Sequence, residues 1–324
     1  MTTGLAWTFA PARDSQLSSA LTDVLGPLAL LAADPRVTDV FLLADGRVFA
    51  DRGEGAVVVS DLRISAERGV ELARGLIESG GRHLDEASPL VDVRLAPGIR
   101  VHAALPPVAL GGAVLSIRFS RSAHRGLDEL DIAWAEGQRH HLIRAVDRRD
   151  TVLFTGATGS GKTTLLAASM ALASPRDRIV VIEDVSELRI DHPHVVQLEC
   201  RQPNLEGAGF VGLDRLVRES LRMRPSRLVV GECRGAELRD LLSALTTGHK
   251  GGAATLHALS LAEVPVRLDS LSALSGLTMG QLSRQVRSAF DLIVHVDYTP
   301  GQPRQLTLGR FVAPQGGDLA VEEI

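Results

Sequence analysis

The sequence is poor in several things that particular functions require. Its 324 residues include two cysteines, Cys200 and Cys233, too few for a disulfide framework and not at zinc-finger spacing. They read as two small buried hydrophobes in a reducing compartment. Aromatic residues amount to 3%, with a single tyrosine, which leaves few platforms for stacking the bases of a single strand. The net charge is -4, so no overall basic field draws in nucleic acid, and no direct nucleic-acid contact is expected. The longest apolar runs, such as Leu28 to Ala33, are far short of the roughly 20 residues that span a bilayer. The opening MTTGLAWTFAPARD lacks the basic start and apolar core of a signal peptide. A cytoplasmic protein is expected, one that sits on a membrane only through partners.

What is present is an ordinary globular composition, 45% hydrophobic and 23% charged. At roughly 150 residues per domain the length suggests about two domains. The first third reads as mixed α and β. Short strands are expected at Val40 to Leu43 and Arg47 to Ala50, around the turn Ala44-Asp45-Gly46, and a helix at Ala66 to Ser79, closed by Gly80-Gly81. Leu90 to Leu95, Ile99 to Ala104 and Val114 to Phe119 read as three further strands. The small and charged stretch Ser120 to Asp128 reads as a linker, and the chain is divided as 1–122, a linker at 123–130, and 131–324.

Beyond the linker a helix is expected around Ile132 to Val146. Short apolar strands then alternate with helices, at Thr151 to Thr155, Ile179 to Ile182, Val195 to Leu198, Leu228 to Gly231, Ala253 to Leu256 and Leu292 to Val296. Such alternation argues for a largely parallel sheet covered by helices. A hairpin through Tyr298-Thr299-Pro300-Gly301 and Gln305 to Phe311 closes it.

Gly156-Ala157-Thr158-Gly159-Ser160-Gly161-Lys162-Thr163 fits G-x-x-x-x-G-K-S/T in full. The strand Thr151 to Phe154 precedes it, and the helical run from Thr164 to Ala173 follows. Glycines let backbone N–H groups curl around phosphate oxygens, and the helix N-terminus adds positive dipole. Lys162 is expected on the β- and γ-phosphates and the Thr163 hydroxyl on Mg²⁺, which makes ATP with Mg²⁺ the expected cofactor pair. Two further strands end in acids, Glu183-Asp184 and Glu232. At the carboxyl ends of strands in an open α/β sheet such acids bind Mg²⁺ or steer the attacking water. The alternative is a helix-capping carboxylate.

These segments resemble the ATPases of type II and type IV secretion, in the branch that serves tight-adherence (Flp) pili and conjugation-like systems. The boxes follow in order: GATGSGKTT, then IVVIEDVSEL, then SLRMRPSRLVVGECRGAE, then TTGHKGGAATLHA, preceded by PLVDVRLAPGIRVHAALPP and LSIRFS in the first domain. The resemblance covers roughly residues 28 to 312. It implies a small mixed α/β N-terminal domain linked to a RecA-like P-loop domain, which works as a homohexameric ATPase beside inner-membrane secretion or pilus platform proteins. Lys162 and residues Gly156 to Thr164 correspond to the nucleotide cradle. Glu183 corresponds to the acid that orients water as general base, and Glu232 to the acid near Mg²⁺ and the γ-phosphate.

In the same comparison His257 and His249 correspond to residues that couple the γ-phosphate to movement. Arg94, Arg100 and Arg118 correspond to arginines that close over the nucleotide, with Arg118 counted among the catalytic groups. Arg218, Arg222 and Arg224 are the candidates for reaching a neighbouring subunit. Lys250, Cys233 and His102 depart from the family pattern. A nucleic-acid-dependent motor and a nucleotide-gated scaffold with little turnover remain the alternatives. His192-Pro193-His194 lacks the companions of a metal site at standard spacing, and His140-His141 reads as solvated helix surface.

Overall fold

The computed structural model describes residues 18–96, 98–119, 126–201, 208–313 and 319–324. The chain divides into two compact units, Met1–Arg121 and Ser122–Ile324. The first described elements of the first unit are helices α1 (Ser19–Leu25) and α2 (Ala29–Ala33). Strands β1 (Asp39–Leu42), β2 (Arg47–Asp51) and β3 (Val57–Arg63) follow, then helix α3 (Ala66–Ser79) and strands β4 (Leu90–Ala96), β5 (Ile99–Ala104) and β6 (Val114–Phe119). They form an antiparallel sheet in the order β3-β2-β1-β6-β5-β4. Because successive side chains point to opposite faces, alternation gives the sheet one apolar side. Val91, Val93, Val101, Ala103, Leu115 and Ile117 are buried there, in one core with Leu72, Ala73, Leu76 and Ile77 of α3. That helix starts where the Ser65 side chain accepts the Arg68 N–H, and it ends at Gly80, as the spacing of its apolar residues predicts.

The second unit holds β7 (Ile132–Ala133), α4 (Gln138–Asp147), β8 (Val152–Gly156), α5 (Lys162–Met170), β9 (Ile179–Glu183), β10 (Val195–Glu199), α6 (Leu213–Ser220), β11 (Arg227–Val230), α7 (Glu237–Thr246), β12 (Ala253–His257), α8 (Val264–Ser275), α9 (Met279–Ala289), β13 (Leu292–Asp297), β14 (Arg304–Val312) and β15 (Ala320–Glu323). The strand order is β10-β9-β11-β12-β8-β13-β14-β15, with β7 beside β14. The first six in that order run parallel. β14 and β15 extend the sheet antiparallel.

The residues of β8, β9 and β11 are buried throughout, as strands covered on both faces must be. One face packs Leu153, Ile182, Val230 and Leu256 with residues of α7, α8 and α9. The other packs Val152, Phe154, Val181 and Val294 with residues of α4 and α5. At the amino ends of the strands the Arg227 guanidinium is fully buried. It donates to Asp177 (2.7 Å), to the Gly251 carbonyl (3.1 Å) and to the Val146 carbonyl (2.9 Å), while Arg149 pairs with the other Asp177 oxygen. Each of the three Arg227 nitrogens has an acceptor and its charge has a carboxylate partner, so this polar knot meets the requirement for burying a charge.

The structure departs from the sequence reading at particular points. No helix spans Ile132 to Val146: Ile132–Ala133 pair in parallel with Arg304 and Gln305. The helix starts only after Gly137, whose φ of 77° is left-handed and breaks the run. Strands β3 and β15 and helices α1 and α2 are not among the expected elements; β3 is an edge strand with most of its residues exposed, so it lacks the half-buried alternation that marks a strand. Of the expected linker, residues 120–125 lie outside the described residues, and Leu127 is buried in the core of the second unit. Cys233 is buried as expected, but Cys200 is only half-buried.

Candidate nucleotide site

Strand β8 delivers the chain into the loop and α5 takes it away. The tip, Ala157 to Gly159, is exposed, and Ser160 and Lys162 are buried. Gly159 and Gly161 take left-handed φ of 77° and 95°, which side chains resist. Thr163 and Thr164 lie in the first helical turn, half-buried and exposed respectively. The Lys162 ammonium donates to the Ala157 carbonyl at 3.3 Å, and it lies 3.1 Å from His257 Nδ1. Burial lowers its pKa, an effect that the Glu232 carboxylate opposes. A cavity of about 510 Å³ opens beside the loop, lined by Ala157, Thr158, His257, Leu259, Val266 and Arg267 among others.

His257 ends β12, level with Gly156 on β8. Its Nε2 is 2.9 Å from one oxygen of Glu232, whose other oxygen takes Arg234 at 2.7 Å. Arg234 also faces Asp184 at 3.6 Å. A single path of alternating partners therefore runs from Lys162 through His257 and Glu232 to Arg234 and Asp184. Burial, and then the charge on Lys162, lowers the His257 pKa, which favours the neutral ring.

Glu183 ends β9 next to this path. A Cβ at Gly231 would lie 2.6 Å from Glu183 Cγ, so the residue before Glu232 must be glycine for the two strand ends to fit. One Glu183 oxygen accepts the N–H groups of Glu187 (3.0 Å) and Leu188 (2.9 Å); the other is buried without a hydrogen-bond partner. Burial raises its pKa to about 7. The hydrogen-bonded Glu183 oxygen holds a loop and not a helix end, since Glu187 and Leu188 belong to no helix; Glu237, the first residue of α7, likewise accepts the N–H groups of Arg234 and Gly235 in the preceding turn.

Among the described residues no three His, Cys, Asp or Glu side chains gather as a metal-binding group. Mg²⁺ with a nucleotide needs no such cluster, since one or two protein oxygens suffice beside phosphates and water. The Thr163 hydroxyl and the Glu232 carboxylate are of the right chemistry for that ion.

The chain matches the sequence model described as type II/IV secretion system protein over residues 26–297. It is 46% identical over 276 residues to a putative conjugal transfer protein of Mycobacterium tuberculosis, covering 82% of this chain and 78% of the relative. To the conjugal transfer protein TrbB of Rhizobium radiobacter it is 32% identical over 286 residues, covering 86% and 84%. The chain belongs to the type II/IV secretion system protein family. Its fold is shared with the pilus retraction motor PilT, solved with bound ADP (TM-score 0.64, 20% identity, 87% of this chain and 81% of that one). It is also shared with the ATPase DotB of Legionella pneumophila (TM-score 0.58, 20% identity, 97% and 82%). The small mixed α/β unit and the RecA-like unit with its largely parallel sheet are the architecture of this secretion family.

Not every residue expected at the site of this family member is there. His249 precedes β12 at the amino ends of the strands: Gly251 donates to Thr151, and Gly252 pairs with Val152. The length of β12 separates it from the phosphate loop, roughly 16 Å at 3.3 Å per residue, so the structure does not bring His249 to the nucleotide cradle as the resemblance implied. Arg94, Arg100 and Arg118 stand directly opposite one another on β4, β5 and β6, which makes one lateral row on the face of the first unit's sheet away from its core. Asp39 and then Asp51 continue that row. Arg118 pairs with Asp39 at 3.0 Å and Arg100 with Asp92. Arg218 pairs with Asp214 and Asp240, and Arg222 with Glu219. Arg234, which pairs with Glu232 and with the strand-end acid Asp184, and Arg304 carry no expectation from the sequence. Arg234 could have been found from its place two residues after Glu232; Arg304 lies 144 residues from its loop partner Ser160 and carries no local signal.

Proposed function

We propose that the chain hydrolyses ATP with Mg²⁺ to drive a secretion, conjugation or pilus-assembly machine, as a homohexamer in the cytoplasm beside inner-membrane platform proteins. The observation that carries this reading is the path from buried Lys162 through His257 to Glu232. A lysine in the phosphate cradle supplies charge to the β- and γ-phosphates. His257 between that lysine and a strand-end carboxylate can pass the loss of the γ-phosphate to β12. Glu232, with Thr163, serves the metal side. Glu183, with an unpartnered oxygen and a pKa near the working pH, suits a general base for water.

The conjugal transfer relatives support the assignment to a transport machine. Among the described residues no helix is long and apolar enough to cross a membrane, which is compatible with attachment through partners. The test is phosphate release from MgATP by the purified chain, with and without DNA. Turnover that does not depend on DNA supports the reading. Turnover only with DNA favours a nucleic-acid motor, and tight binding with no release favours a scaffold.

A further inference from the structure

A peptide N–H that binds phosphate must point into the cradle, so the carbonyl of that same peptide must point outward. The peptide group is planar and trans; fixing the carbonyl of one residue therefore fixes the N–H of the next in the opposite direction. In the second unit the Ser160 carbonyl accepts a hydrogen bond from Arg304 Nε at 2.8 Å. That carbonyl belongs to the peptide whose N–H is Gly161, the last donor before Lys162. Arg304 approaches so closely that a Cβ at Gly161 would lie 2.7 Å from its Nε. Gly161 is thus needed twice, for its left-handed φ of 95° and for the room it leaves the guanidinium.

Arg304 is itself held in place. Its guanidinium lies over the ring of Tyr298, the one tyrosine of the chain, at 4.8 Å. Its backbone N–H donates to the Asp131 carbonyl at 3.0 Å, and it pairs with Ile132 at the start of β14. The arginine and its aromatic support are the two sides of the hairpin between β13 and β14, on the opposite side of β8 from His257 and Glu232.

We propose that Arg304 is a positioning residue for nucleotide binding: by holding the Ser160 carbonyl outward, it directs the Gly161 N–H at the β-phosphate. This rests on the ATP-binding reading above. An N–H that loses its aim on a charged oxygen forfeits a charge-assisted hydrogen bond, worth about tenfold in affinity. The N–H faces a phosphate that ATP and ADP share, so both should weaken equally.

The test is isothermal titration of full-length Arg304→Ala and Arg304→Lys with ADP and with a non-hydrolysable ATP analogue, both with Mg²⁺, alongside steady-state turnover. The expected result for Arg304→Ala is a Kd raised about tenfold for both ligands, a KM for ATP raised in step, and a kcat within about threefold of wild type. Arg304→Lys keeps a positive charge beside Tyr298 but lacks the planar fork, and it should lose about threefold. If Arg304→Ala does not fold, the lysine variant decides. Unchanged Kd values, or a fall in kcat with Kd unchanged, would overturn the proposal. A wild-type protein that binds neither ligand fails the ATP-binding reading instead; a wild type that binds, with variants equal to it, fails this inference alone.

Discussion

Replacing Glu183 by Gln separates the stability of this carboxyl from its chemistry. The side chain is 4% exposed, and burial raises its pKa from 4.5 to about 7. Below pH 4.5 the group is protonated whether the chain is folded or not, and it costs nothing. As pH rises from 4.5 to about 7, the unfolded chain gives up the proton and the folded chain keeps it. Stability therefore falls through that window and levels off above it. At 1.36 kcal/mol per pKa unit the full loss is about 3 kcal/mol. A glutamine carbonyl can still accept the Glu187 and Leu188 N–H groups but cannot ionise. Urea unfolding of the two proteins, repeated from pH 4.5 to pH 8, should show the variant gaining on wild type by about 2–3 kcal/mol across the range. Turnover of the wild type should rise through pH 7 as the base ionises, and the variant should be slower by roughly 10²- to 10⁴-fold throughout. Stability curves that stay parallel would refute the buried, proton-holding state assigned to Glu183. Normal turnover in the variant would reduce the residue to a cap for the turn at Glu187 and Leu188.

Glu232→Gln should leave ATP bound while slowing release of phosphate by roughly 10²- to 10⁴-fold; equilibrium binding and steady-state rates on the same preparation check this, and a normal rate would contradict the metal-side role. A cyclic head-to-tail contact is the simplest closed assembly for a motor of this kind. Multi-angle light scattering with an ATP analogue and Mg²⁺ should report six chains, and a strict monomer at micromolar concentration would count against the ring.

Much of the second unit was legible in the sequence because its strands announce themselves. Ile179 to Ile182 and Leu228 to Val230 are short apolar runs that end in an acid, and a strand buried on both faces must read that way. The phosphate loop was legible for the same kind of reason, since its glycines and lysine are dictated by local backbone geometry. What escaped depends on distant pairing. Ile132 and Ala133 look helical in isolation, and only the edge of β14 makes them a strand. Arg304 has no sequence mark because its partner Ser160 belongs to another part of the chain. His249 was drawn to the site by its place in a motif, yet the strand that carries His257 to the loop leaves His249 at the far end of β12.

In the proposed function Lys162, joined to His257 and Glu232, serves an ATP hydrolysis cycle. The most direct measurement is phosphate release from MgATP by the full chain and by Lys162→Ala under identical conditions. The wild type should release phosphate steadily, and the variant should bind ATP more weakly and release none above background, because the charge that neutralises the β- and γ-phosphates is gone. Release by Lys162→Ala at the wild-type rate would contradict it.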